Sequence, residues 1–200
     1  QYGYSRTRRH PSIKPFVEGT ANGTDFINLE KTKEQLETAT AYLKALQGAG
    51  KTVLFVGVKP EIRQLVKEVA LSLNSPYVAE RFIGGTLTNF PQMKKRVDKL
   101  HDLLKKKEQL LIQRDIDRLD RDFGGVSSLT NLPAAIVIVD PRHEDMCVKE
   151  AARLHIPVVA LSNTDCTIDG IAYPVVGNDG SVVSVRFFLE TIKQALAVQA

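Results

Sequence analysis

Tryptophan is missing from this 200-residue chain, cysteine and methionine occur only twice each, and no apolar run approaches the ~18 residues that mark a membrane-spanning helix. A transmembrane span is therefore not expected. The polar, basic first residues argue against a signal peptide, so a soluble, cytoplasmic protein is the expectation. Cys147 and Cys166 form no C-x-x-C pair and are too few for a disulfide framework, which predicts reduced thiols or small core residues. Catalytic signatures are lacking too. After Val56 comes Gly57-Val58-Lys59-Pro60, which is neither a G-x-G-x-x-G nor a G-x-x-x-x-G-K-[ST] phosphate loop. No G-x-S-x-G elbow occurs, and neither cysteine has an evident activating partner.

What is present suits one ordinary core with an appendage: 43% hydrophobic and 25% charged residues. The formal charge is +4 and the pI about 9.0, so the placement of the excess matters more than its size. Residues 1 to 14 hold Arg6, Arg8, Arg9 and Lys14 with no acidic residue. Tyr2, Tyr4 and His10 interleave with these cations, the mixture wanted for phosphate pairing and for stacking on exposed bases. A frayed, solvated terminus would have the same composition. Pro11 and Pro15 predict an extended path, and residues 1–25 read as a basic extended arm.

From Phe26 onward an α/β rhythm sets in. A short strand at Phe26–Leu29 leads to a helix through Leu36, Ala39, Leu43 and Leu46 that stops at Gly48 and Gly50. Thr52–Val58 is a continuous apolar run of the kind buried on both faces of a parallel sheet. Pro60 should open the next helix, and Tyr77–Ala79 should be another short strand. After residue 124 the rhythm returns, with strands at Ala135–Asp140, Val158–Leu161 and Tyr173–Val176. Helices fit His143–Leu154 and a final stretch to Leu196, started by Asp179 or Ser181. This alternation predicts an α/β fold, a doubly wound and mostly parallel sheet, from residues 26–93 and 124–200.

Between the two halves lie the stretches richest in contact chemistry. Arg81-Phe82-Ile83-Gly84-Gly85-Thr86-Leu87-Thr88-Asn89-Phe90 carries two adjacent glycines, which permit positive φ and close approach of another chain. Thr88 or Asn89 should cap the helix that follows, with Pro91 in its first turn. Residues 94–123 have helical spacing, no proline, and glycine only beyond them, with ten basic against seven acidic residues. The apolar stripe slips in phase near Lys107, which predicts a projecting helical hairpin or a broken helix inserted in the α/β domain. Lys94, Lys95 and Arg96 stand at its root. A solvated helix face is the plainer reading of such a charge run. Two acidic clusters, Asp140-His143-Glu144-Asp145 and Asp165-Cys166-Asp169, could together hold a divalent metal, although their spacing matches no dedicated site and such residues more often cap helices and fill loops.

The loop Arg81–Asn89 closely resembles the R-[WF]-[LI]-G-G-x-L-T-N loop of the bacterial-type small-subunit ribosomal protein two family. Ile13-Lys14-Pro15-Phe16, Ile27–Thr32, Leu54–Lys59 and Gly124-Gly125 fall where that family has them. So do Pro133, Asp140, Glu144, Val148, Glu150, Ile156-Pro157, Asp169-Gly170 and Gly177-Asn178-Asp179. The resemblance implies a flavodoxin-like domain with a protruding helical (coiled-coil-like) hairpin, no catalytic activity and no cofactor. It implies small-subunit ribosomal RNA and neighbouring small-subunit ribosomal proteins as partners, with neither membrane nor small-molecule substrate. By position, the RNA-facing residues would be Arg6, Arg8, Arg9, His10, Lys14, Lys59, Arg81, Gly84, Gly85, Thr86, Thr88, Asn89, Lys94, Lys95 and Arg96. A metal near Asp140, His143, Asp165 and Asp169 is not expected. The expected place is the cytoplasmic ribosome, with an organellar ribosome as the open alternative. Tyr4 stands where the family has histidine, and the hairpin is shorter than the family's. The competing reading is a nucleotide- or small-molecule-binding α/β enzyme with a helical lid or dimerisation arm.

Overall fold

The computed structural model describes residues 1–105 and 110–197. Its centre is a five-stranded parallel sheet built from β4 (Val53–Val56), β5 (Tyr77–Val78), β6 (Ala135–Val139), β7 (Val158–Ser162) and β8 (Tyr173–Val176). The strands lie in the order β5-β4-β6-β7-β8. Counted within the sheet this is 2-1-3-4-5, the flavodoxin-like doubly wound order. Every residue of β4, β6 and β7 is buried, which is why these segments read as unbroken apolar runs rather than alternating ones.

Alternate residues serve two cores. Phe55, Val137, Val139, Val159 and Leu161 point to one face, where they meet α1 (Leu29–Gly48), α2 (Arg63–Ser72) and α6 (Val182–Ala197). Leu54, Val56, Ile136, Ile138 and Ala160 point to the other, towards α3 (Phe90–Lys105) and α5 (Asp145–Arg153). Met93 and Val97 of α3 belong to this second core. Leu100 of α3 shares a small apolar cluster with Ile116 and Leu119 of α4 (Leu110–Phe123). The phase slip expected near Lys107 lies outside the described residues.

The first residues are more structured than expected. β1 (Tyr2–Ser5), β2 (Val17–Ala21) and β3 (Thr24–Ile27) form an antiparallel sheet in the order β1-β3-β2. Pro11–Phe16 is a 3-10 turn rather than an extended run. The proline φ suits a first helical turn as well as an extended chain, and here burial decides. Ile13 is fully buried and packs with Ile27 and Val176, while the ring of His10 accepts the Ser12 N–H. At the far end, Ser181 starts α6 by accepting the Val185 N–H at its carbonyl. Asp179 is no cap: its carboxylate turns to Lys59 and Asn163.

Candidate nucleic-acid interface

The glycine loop leaves the sheet after β5 and ends where α3 begins. Its backbone is held by a carboxylate from the opposite element: Glu150 of α5 accepts N–H groups from Gly85, from Leu87 at 3.0 Å and from Thr88 at 3.1 Å. Gly85 has φ +88°, a conformation that a side chain would strain. A Cβ on Gly84 would come within 3.1 Å of the Met146 sulfur on α5, so the absence of a side chain there also serves internal packing. Leu87 and Thr86 are buried, and the Thr86 hydroxyl donates to the Ile83 carbonyl. Thr86 therefore braces the loop from within. Arg81, Gly84, Thr88 and Asn89 are exposed.

Lys94, Lys95 and Arg96 follow within two turns and all are exposed, while Met93, Val97 and Leu100 on either side of them are buried. The apolar positions recur at four and three residues, which fixes one face on the core and leaves the cations on the other. Glycine loop and cationic helix face thus form a continuous surface, anchored from behind by Glu150.

The remaining cations divide into free and engaged. Arg6, Arg8 and Lys14 are exposed. Arg9 is not available: its guanidinium pairs with both oxygens of Asp25, Nε lying 2.7 Å from Oδ2, and also donates to Thr20. Asp25 is completely buried, and hydrogen bonding from Arg9 holds its carboxyl below the ordinary carboxylate range against the cost of burial. Asp25 lies outside the acid-free stretch 1–14, so charge composition there concealed the pairing. His10 is half-buried, its Nδ1 within 2.7 Å of the Ser12 hydroxyl.

Lys59 is likewise engaged. Its ammonium sits 2.6 Å from Asp140 and 3.0 Å from Asp179, whose other oxygen accepts from Asn163 at 2.7 Å. Burial alone would lower the lysine pKa, but bonding to Asp140 and the charge of Asp179 raise it well above its ordinary value. Asp140 is pushed up by burial yet held below its ordinary value by Lys59, whereas Asp179 is raised by its burial. Lys59 follows β4 and Asp140 follows β6, the adjacent pair at which the strand order reverses. A doubly wound enzyme would bind its ligand at that point; here it holds an internal ion triad. Asp140 itself has φ +62°, with its carboxylate accepting the N–H groups of Arg142 and His143.

The candidate metal residues do not converge. Asp165 pairs with Arg142, Asp169 accepts from Thr167, and the His143 ring contacts Glu144. Burial, followed by the charge of Asp140, pushes the Cys166 thiol up to about 12, so it stands as a neutral thiol at neutral pH. Among the described residues no three such groups could hold an ion together. The residue that sequence reasoning undervalued is Glu150. Its signal was available: it stands with Cys147 and Ala151 on the buried stripe of α5, and an acid on an apolar stripe needs buried donors.

A doubly wound α/β scaffold that sets exposed cations beside a loop anchored by a buried carboxylate presents a binding surface. Residues 1–198 match the family described as Ribosomal protein S2. The chain belongs to that family, as the loop motif suggested. It is 38% identical to "Small ribosomal subunit protein uS2" of Amoebophilus asiaticus over 205 residues, covering 97% of this chain and 66% of the relative. Proteins of the same name from Acidothermus cellulolyticus and Desulfatibacillum aliphaticivorans are 38% and 36% identical, each over 98% of this chain and over 76% and 70% of the relative. The chain thus spans roughly two thirds to three quarters of the length of these relatives. The family is one of structural, non-enzymatic small-subunit ribosomal proteins, and the enzyme reading is not favoured. Among the described residues no helix is long and apolar enough to cross a membrane.

Proposed function

We propose that the chain acts in translation as a structural constituent of the small subunit of a cytoplasmic, bacterial-type ribosome, docking on ribosomal RNA beside neighbouring small-subunit proteins. The observation that carries this is the exposed row Lys94, Lys95 and Arg96 on the helix that directly follows an anchored loop with exposed Arg81, Thr88 and Asn89. Exposed cations on a rigid element pair with phosphates without first breaking internal bonds. Arg6, Arg8 and Lys14 add a second patch of the same kind. Thr86 braces the loop from inside, while Arg9 and Lys59 are taken up by internal carboxylates. The part of α3 beyond Lys94, with α4, acts as an inserted helical projection of the RNA-facing surface. The root of that projection, Val97 and Phe123, packs on the second core, and its outer part clusters around Leu100, Ile116 and Leu119. Residues 1–25 serve as the basic arm, and residues 26–93 with 124–200 as the body.

Binding to small-subunit ribosomal RNA as a function of salt tests the reading, with nucleotides as the counter-ligand. Replacing Lys94, Lys95 and Arg96 together by methionine is expected to flatten the salt dependence by about 0.7 to 0.9 log units for each phosphate left without its cation. An unchanged slope, or tighter binding of a nucleotide than of the RNA, overturns it.

A further inference from the structure

The side of the glycine loop that faces α3 and α4 borders a cleft of about 280 Å³. Phosphate docking on the cationic face leaves this space unused. Its floor is apolar, made by buried Met93 and Leu119 with half-buried Phe123. The rim is polar and planar. The side chains of Asn89 and Gln92 offer amides, and Arg96 and Arg118 bring guanidinium groups from the two helices. Asp122 adds one carboxylate, whose Oδ1 accepts from Arg121 at 3.2 Å. Besides Asn89 the loop lines the cleft with Ile83 and Thr86 and with the bare backbone of Gly84 and Gly85, and Glu150 holds that backbone from the far side.

The volume lies just under the ~300 to 1,000 Å³ of pockets that enclose drug-sized ligands, which suits one flat ring system and excludes several. An apolar floor with amide and guanidinium edges matches how unstacked bases are held, by stacking below and hydrogen bonds around the rim. Asparagine and glutamine both donate and accept, so they can pair with a base edge. Arg96 and Arg118 can pair with the flanking phosphates or stack on the exposed ring face. Asp122 only accepts, so it meets an exocyclic amine where uracil would present a carbonyl oxygen.

We infer that this cleft receives a single unpaired nucleotide of the RNA, with adenine or cytosine preferred to uracil. The inference rests on the RNA-docking reading above, and its test separates the two. The full chain, labelled with nitrogen-15, is titrated at fixed salt with the hexaribonucleotides UUUUUU and UUAUUU. The expected result is about tenfold tighter binding of UUAUUU, in line with one added hydrogen bond to a charged acceptor, together with shifts of the Gly84 to Thr86 amides and the Asn89 and Gln92 side-chain amides. Gln92→Ala and Arg118→Met alter exposed residues and are expected to bring the ratio of the two affinities close to one. Lys95→Met, outside the cleft on the same helix, should weaken both hexamers alike. Equal affinities for the two hexamers, or a preference that survives Gln92→Ala and Arg118→Met, overturns the nucleotide cleft and leaves RNA docking standing. No binding of either hexamer or of small-subunit RNA overturns both.

Discussion

The surface of α3 and the ion pairs of Lys59 and Arg9 use their cations in opposite ways. Lys94, Lys95 and Arg96 face solvent; Lys59 and Arg9 are paired with buried carboxylates. What separates them is the location of the acids. On α3 the buried residues are Met93, Val97 and Leu100, so nothing on the buried face of the helix competes for the charge, and the nearby buried acid, Glu150, is satisfied by loop N–H groups. Around Asp25, Asp140 and Asp179 no such set of donors suffices, and a basic side chain is drawn inward. A cation is thus a contact residue only where the core beneath it holds no unsatisfied carboxylate.

The comparison breaks most visibly at Lys59. Lys59→Met leaves Asp140 and Asp179 facing each other without a cation, and a loss of about 3 to 5 kcal/mol is expected in denaturant unfolding. That penalty should ease as pH falls, because protonating either carboxylate relieves the repulsion. In the parent chain the sign is opposite for the lysine. Its folded pKa is raised, so its contribution is complete below the unfolded value of about 10.4 and is lost as pH rises through the folded value.

Arg9→Met should cost somewhat less, about 3 kcal/mol at neutral pH, because Thr20 still donates to Asp25 at 2.8 Å. Asp25 has a depressed folded pKa. Its stabilisation is therefore present above the unfolded value of about 3.9 and disappears as pH falls through the folded one. Thermal melts of parent and variant should differ at pH 7 and converge in acid; a constant gap would mean that Arg9 acts through packing alone.

Glu150→Ala removes the acceptor of three loop N–H groups, and about 2 kcal/mol of destabilisation is expected. RNA affinity should fall with it, since the loop wall is no longer held against α5. Retention of full affinity would show that the loop needs no anchor. The smallest effect on stability belongs to the joint replacement of Lys94, Lys95 and Arg96, which should stay within about 0.5 kcal/mol while RNA binding drops. A large stability loss there would erase the distinction between the two regions.

Several structural features were readable residue by residue. The strands Val53–Val56, Ala135–Val139 and Val158–Ser162 announce themselves as apolar runs, and α1 and α6 as three- and four-residue repeats. The free cations of α3 were also legible, because the buried residues that orient them lie on the same helix. The turn at Pro11–Phe16 was not. Proline permits either backbone, and Ile13 is drawn in by Ile27 and Val176, the latter far along the chain.

Local order therefore belongs to the sequence itself: helix and strand periods are set by neighbours within a few positions, and a loop motif of nine residues suffices to point to a family. Which charges remain free is decided only by tertiary structure. Arg9 meets Asp25 across 16 positions, Gly85 meets Glu150 across 65 and Lys59 meets Asp179 across 120. Burial of a carboxylate at the end of such a long connection has no local signature, yet its desolvation is costly enough to dictate where the cation must go.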